Sequence, residues 1–106
     1  MIRENHIFRR LYHKGRRLAS PCMAIYYIKA KNRAGNRLGI TTTKKIGGAV
    51  ARNRARRVIL EAYRLLEPSA PGGLDIVIVA RSEAVRVKMQ VVQKELDRLF
   101  NTISRL

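Results

Sequence analysis

An α+β sandwich with the element order α-β-β-α-β-α, helices on a small mixed sheet, is the fold that the sequence predicts, as one domain over residues 1–106. Three observations carry it. Two segments, 49–66 and 84–105, repeat apolar residues at the spacing of a buried helix face. One run, 74–80, is apolar everywhere except Asp75, the pattern of a central strand covered on both faces. The chain has 106 residues, 46% hydrophobic and 28% charged. A chain of that size buries roughly 60–70% of its unfolded surface, enough for one modest core.

Residues 4–13 open the chain as a short helix, because Ile7 with Leu11 and Phe8 with Tyr12 form i,i+4 pairs on one broad face. Gly15 ends it. Residues 22–30 read as a strand with Cys22, Ala24, Tyr26 and Ile28 on one side. A polar turn at 32–36 leads into a second strand, 38–43, rich in β-branched residues, and the two strands are expected to pair as a hairpin. Gly47-Gly48 then introduces the helix at 49–66. Ala55, Val58, Ile59, Ala62, Tyr63 and Leu66 share one of its faces, and Asn53, Arg56, Arg57 and Arg64 gather on the other. Pro68 and Pro71-Gly72-Gly73 form the loop before the apolar strand. The last helix, 84–105, aligns Val85, Met89, Val92, Leu96, Leu99 and Ile103 to pack on the sheet.

The charge narrows the function. Lys and Arg number 23 against 7 Asp and Glu, a net charge of +16. Residues 1–66 hold 17 of these cations and only Glu4 and Glu61 as acids, whereas residues 67–106 are nearly balanced. Such a surface calls for a polyanion. Sixteen of the cations are Arg, whose planar fork suits phosphates and base faces. No stretch approaches the roughly 18–20 apolar residues of a membrane span. No helix joins a cationic face to a bulky exposed apolar one, so no membrane partner is expected. Residues 1–6 lack the apolar run of a signal peptide, so the expected location is the cytoplasm, with the free protein a monomer.

Catalytic side chains are hard to find. Cys22 is the single cysteine, read as a buried thiol; it excludes an internal disulfide and, with two histidines, a Cys/His zinc site. Metal-dependent cleavage of a phosphodiester needs clustered carboxylates. The basic part of the chain offers Glu61, placed to pair with Arg57 or Arg64. His6 and His13 lie seven residues apart, about 10.5 Å along a helix, too far to serve one phosphate. We therefore assign the protein no catalytic residue and no metal ligand.

The informative run is Lys44-Lys45-Ile46-Gly47-Gly48-Ala49-Val50-Ala51-Arg52-Asn53-Arg54-Ala55-Arg56-Arg57. Two ammonium groups precede a Gly-Gly turn, then a helix N-terminus with free N–H groups, then four guanidinium forks. Each suits phosphate. Asn53 can bond a 2′-OH or base edge, or lock its Arg neighbours.

This run closely resembles the signature of the bacterial ribonuclease P protein subunit, including its Arg-Asn-Arg motif. Phe8 and Tyr12 before His13-Lys14-Gly15, the strand with Tyr26, and the run 75–81 fit that family in order and spacing. The resemblance covers roughly residues 6–100. It implies an α+β protein with a left-handed βαβ crossover, bound to a large catalytic RNA. That holoenzyme removes the 5′ leader of precursor tRNA by Mg²⁺-dependent hydrolysis, with the metal held by the RNA. Arg52, Asn53 and Arg54 match the helix facing the catalytic RNA, and Lys44, Lys45, Arg56 and Arg57 would extend it. Phe8, Tyr12 and Tyr26 match the aromatic cleft that receives the leader. By position alone these rings read as core in preference to cleft; the resemblance turns the reading to the cleft. Two departures stand out: the chain lacks the more basic N-terminal extension of many members, and Leu60, expected to stand exposed among cations, replaces a common Arg. The alternative is a ribosomal or other structural RNA-binding protein, which would have no use for a single-strand platform.

Overall fold

The computed structural model describes residues 5–29 and 35–106, apart from the side chain of Ser69. Helix α1 (Asn5–Lys14) is followed by strands β1 (Arg16–Ala19), β2 (Met23–Lys29) and β3 (Arg37–Thr42). Helix α2 (Ala49–Leu66), strand β4 (Leu74–Ala80) and helix α3 (Met89–Ser104) complete the chain. The strands form one mixed sheet in the order β1-β2-β4-β3. The α+β class predicted from the sequence holds, with one strand added.

The strand pairing departs from expectation. β2 and β3 do not form a hairpin; both pair with β4, β2 antiparallel and β3 parallel. The reason is burial: Ile76, Val77 and Ile78 are fully buried, and only the sheet's interior covers both faces of such a strand. Burying each of those side chains is worth about 1.5–3 kcal/mol. Parallel neighbours need a long crossover, which α2 supplies between β3 and β4. The hairpin in the molecule is β1–β2, closed by Ser20, Pro21 and Cys22, with the Ser20 N–H donating to the Met23 carbonyl at 2.8 Å. β1 escaped the sequence reading because Arg16 and Arg17 mask it, a usual trait of a short edge strand. Most of the expected turn at 32–36 lies outside the described residues.

Alternation along the strands sorts the two faces. Met23, Ile25, Tyr27, Leu38, Leu74, Ile76 and Ile78 face α2 and α3, and with Ile59, Leu96 and Phe100 they make the main core. Tyr63 and Phe100 meet edge to face there, with ring centres 6.0 Å apart. The other face carries Tyr26, Ile28, Val77 and Val79 under α1, where Leu11 is fully buried. Cys22 does not share the face of Ala24 and Tyr26: it precedes the strand and belongs to the main core. The last helix starts at Met89, not 84, because residues 82–85 form a 3₁₀ turn; the β-branched Val85 and Val87 favour that break. Leu60 is half-buried against the main core and not exposed among the arginines. Glu61 is exposed and makes no ion pair with Arg57 or Arg64.

Polar contacts fix the ends of the sheet. Arg37 grips Asp75 with two parallel bonds of 2.9 and 2.8 Å across the β3–β4 pair, which satisfies a buried carboxylate. Gly15 closes α1 through a 2.9 Å bond to the Leu11 carbonyl, and a Cβ there would collide with that same oxygen.

Cys22 is latched to α3: its N–H and its thiol each donate to Glu95 at 3.1 Å. Burial first, then the hydrogen bond and charge of Glu95 and the charge of Glu83, push the thiol up to about 12. Burial also raises Glu95, but bonds from Ser20 and Cys22 and the charge of Arg98 outweigh it and hold the carboxylate below its ordinary value. A depressed folded-state pKa adds stability that is fully present above the ordinary glutamate value, near 4.3. That stability is lost as pH falls through the folded value. Glu95→Gln is expected to lower stability at neutral pH by about 1 kcal/mol, the scale of a partly exposed charge-assisted bond. Denaturant melts of variant and wild type should converge as the pH is taken well below the glutamate range.

Candidate nucleic-acid interface

Helix α1 covers only part of its sheet face. Beyond it the floor is made of Ala24, Tyr26 and Val79, next to the end of β4 at Ala80, and it opens as a cleft of about 470 Å³. Arg17, Lys45 and Arg81 stand among the lining residues, with Glu83 the one acid. The Tyr26 ring forms one wall. Tyr12, 41% exposed, meets it edge-on with ring centres 4.9 Å apart, and Phe8 stacks 6.5 Å from Tyr12 at an interplanar angle of 28°. The three rings expected to form a platform are thus contiguous and none is fully buried, with Phe8 and Tyr26 resting on the small Leu11–Val77 core.

Two cations lining the cleft, Arg17 and Arg81, were not singled out by the sequence. Arg17 donates from Nε to the Tyr26 hydroxyl at 3.1 Å, with its guanidinium carbon 5.8 Å from the ring centre. Arg81 donates to the Ser20 carbonyl at 3.2 Å and so stays on the rim. Arg17 was hidden by the unrecognised strand β1, whose register sets it directly opposite Tyr26.

The basic run begins at the same cleft. Lys44 and Lys45 are exposed in a 3₁₀ turn, and Lys45 lines the cleft. Gly47, at φ 133°, makes the turn into α2 in a conformation that L side chains rarely adopt. No side chain caps α2, whose first N–H groups and dipole are left for an external acceptor. Asn53, Arg54, Arg56 and Arg57 are exposed, and Arg52 is half-buried, its Nε without a hydrogen-bond partner among the described residues. Asn53 accepts from Arg56 at 2.8 Å, while Arg56 also approaches the Thr42 hydroxyl at 3.4 Å. On the neighbouring residue, the Tyr12 hydroxyl lies 3.5 Å from Thr41 Oγ1. β3 therefore links the ring cluster on one face to the arginine helix on the other.

Other candidates stay apart from these surfaces. His6 and His13 are exposed on α1. Among the described residues no three His, Cys, Asp or Glu side chains gather as a metal site, and no helix is long and apolar enough to cross a membrane.

The ribonuclease P family model matches residues 1–104. The chain belongs to the ribonuclease P protein family. A ribonuclease P protein component of Alkaliphilus metalliredigens is 40% identical over 99 residues, which are 93% of this chain and 88% of that protein. One from Thermoanaerobacter sp. (strain X514) is 34% identical over 99 residues, covering 93% and 84%. Solved structures agree. The ribonuclease P protein of Staphylococcus aureus is 32% identical with a TM-score of 0.81, covering 97% of this chain and 93% of that one. That of Thermotoga maritima is 27% identical with a TM-score of 0.84, covering 93% of each. Membership of the ribonuclease P protein family sets aside the ribosomal alternative.

Proposed function

We propose that this ribonuclease P protein binds the catalytic RNA through the α2 surface and the 5′ leader of precursor tRNA in the aromatic cleft. The observation that supports this most is the cleft itself, which Tyr26 lines with Tyr12 packed edge-on to it and with Arg17, Lys45 and Arg81 around it. Base stacking on rings beside positive charge is tolerant of sequence, as a leader that varies among tRNAs requires. Lys44, Lys45, Arg52, Arg54, Arg56 and Arg57 supply phosphate contacts next to the uncapped start of α2, and Asn53 orients Arg56. Among the described residues no carboxylates gather to fit a Mg²⁺ site, and leader hydrolysis is assigned to metal held by the RNA, with the protein lending neutralising charge. We place this work in the cytoplasm, with the free protein a monomer.

Reconstitution with a bacterial ribonuclease P RNA tests this. The protein is expected to restore precursor cleavage at Mg²⁺ levels where the RNA alone is slow, since neutralised phosphates help substrate and metal approach. The protein alone should cleave nothing. Leader cleavage by RNA-free protein that persists in His6→Ala/His13→Ala would overturn the division of labour.

A further inference from the structure

Arg16 and Arg17 are neighbours on the edge strand β1, and the two-residue period of a strand sends them to opposite faces. Arg17 goes to the aromatic cleft. Arg16, in register with Tyr27, goes to the rear face and borders a second cleft of about 250 Å³, the rear cleft, which is lined also by Tyr27, Lys29 and Leu106 and reaches round to Lys14 and Ile28 on the α1 side. All three cations are exposed, and no acidic side chain lines this hollow. Lys29 donates to the Leu106 carbonyl at 3.0 Å, which leaves two of its N–H bonds unengaged among the described residues. Tyr27 is buried, and its hydroxyl has no hydrogen-bond partner among the described residues. Three cations around one partly apolar hollow favour an anionic ligand there.

We infer that the rear cleft holds backbone phosphates of the same single-stranded RNA that stacks in the aromatic cleft, the strand passing over the free edge of β1. The inference rests on the leader reading proposed above. The topology supports this occupant: β1 is terminal in the sheet and four residues long, about 13 Å, so its edge is a short ridge between the two hollows. Arginine on both sides of that ridge gives one polyanion continuous positive charge. Phosphate contacts carry no sequence information, so a grip made through them has no sequence preference.

The test uses holoenzyme reconstituted with wild-type protein or Arg16→Ala/Lys29→Ala, and three ligands: mature tRNA and precursors with a three- or a twelve-nucleotide leader. The double variant is expected to weaken binding of the long-leader precursor alone. Its plot of log K against log salt should flatten by about 1.4, roughly 0.7 for each lost single-strand phosphate contact. Lys14→Ala, on the helix and not the strand, should give about half that change. Equal losses for all three ligands would overturn the inference in favour of a general charge effect. No loss with any ligand would overturn it too, leaving these cations as guards against edge-to-edge pairing. Wild-type enzyme that binds mature and precursor tRNA alike would instead sink the leader reading, and this inference with it. Thermal melts of the variants confirm that the exposed substitutions leave the fold intact.

Discussion

Phe8→Ala and Tyr12→Ala are each expected to weaken holoenzyme binding of precursor tRNA by roughly 5- to 150-fold while leaving mature tRNA almost untouched. A base stacked on an aromatic ring is worth about 1–3 kcal/mol, and only the precursor carries a leader to stack. Tyr12 has the greater exposure and stands edge-on to Tyr26 at 4.9 Å, so its loss removes an exposed ring beside the cleft and the neighbour that holds Tyr26. Phe8 acts beneath it, 6.5 Å away. Tyr12→Phe keeps the ring and gives up only the 3.5 Å contact to Thr41, so it should bind nearly as wild type. Equal loss for both ligands, or lost folding in thermal melts, would make these rings core and not cleft.

Arg54→Ala/Arg56→Ala/Arg57→Ala should have a different signature. All three side chains are exposed on α2, and Ala is the best helix former, so stability should hold or rise as like charges separate. Binding to the catalytic RNA is expected to weaken, and the log K against log salt plot to flatten by about 2–2.7, from 0.7–0.9 for each phosphate contact. Because the proposed leader site lies elsewhere, the ratio of precursor to mature affinity should survive. Titrations at several salt concentrations check both parts.

The sequence made some of this legible and concealed the rest for identifiable reasons. Helix α2 was readable to the residue because its 3,4 apolar stripe and its arginine face leave one orientation. β4 was readable because seven residues with a single polar side chain suit only the middle of a sheet. The pairing of β2 and β3 was not, since neighbours in sequence pair by default and only the need to bury β4 on both faces separates them. β1 carries one bulky apolar residue, Leu18, and its strand character comes from pairing with β2, not from its own pattern. Leu60 was misplaced because a helical wheel gives direction but not the breadth of the surface that the core covers.

In the candidate site, the basic run and the three rings stood out by residue type and by resemblance. Arg17 and Arg81 did not, because their role depends on register and on where the sheet ends. The same blindness hid the junction at β3, where Thr41 meets Tyr12 and Thr42 meets Arg56 on opposite faces. No local pattern in residues 38–43 announces that contact.

Site-specific crosslinking tests most directly whether one protein holds two RNAs on two surfaces. Cys22 is buried with its thiol pushed up to about 12, so an introduced cysteine is the reactive one. Thr43→Cys on the cleft rim and Arg57→Cys on α2 would each carry a thiol-linked photocrosslinker, in separate holoenzymes charged with precursor tRNA. The probe at 43 should mark leader nucleotides of the substrate, and the probe at 57 should mark the catalytic RNA. Crosslinks from position 43 to the catalytic RNA with none to the leader would contradict the assignment of the cleft.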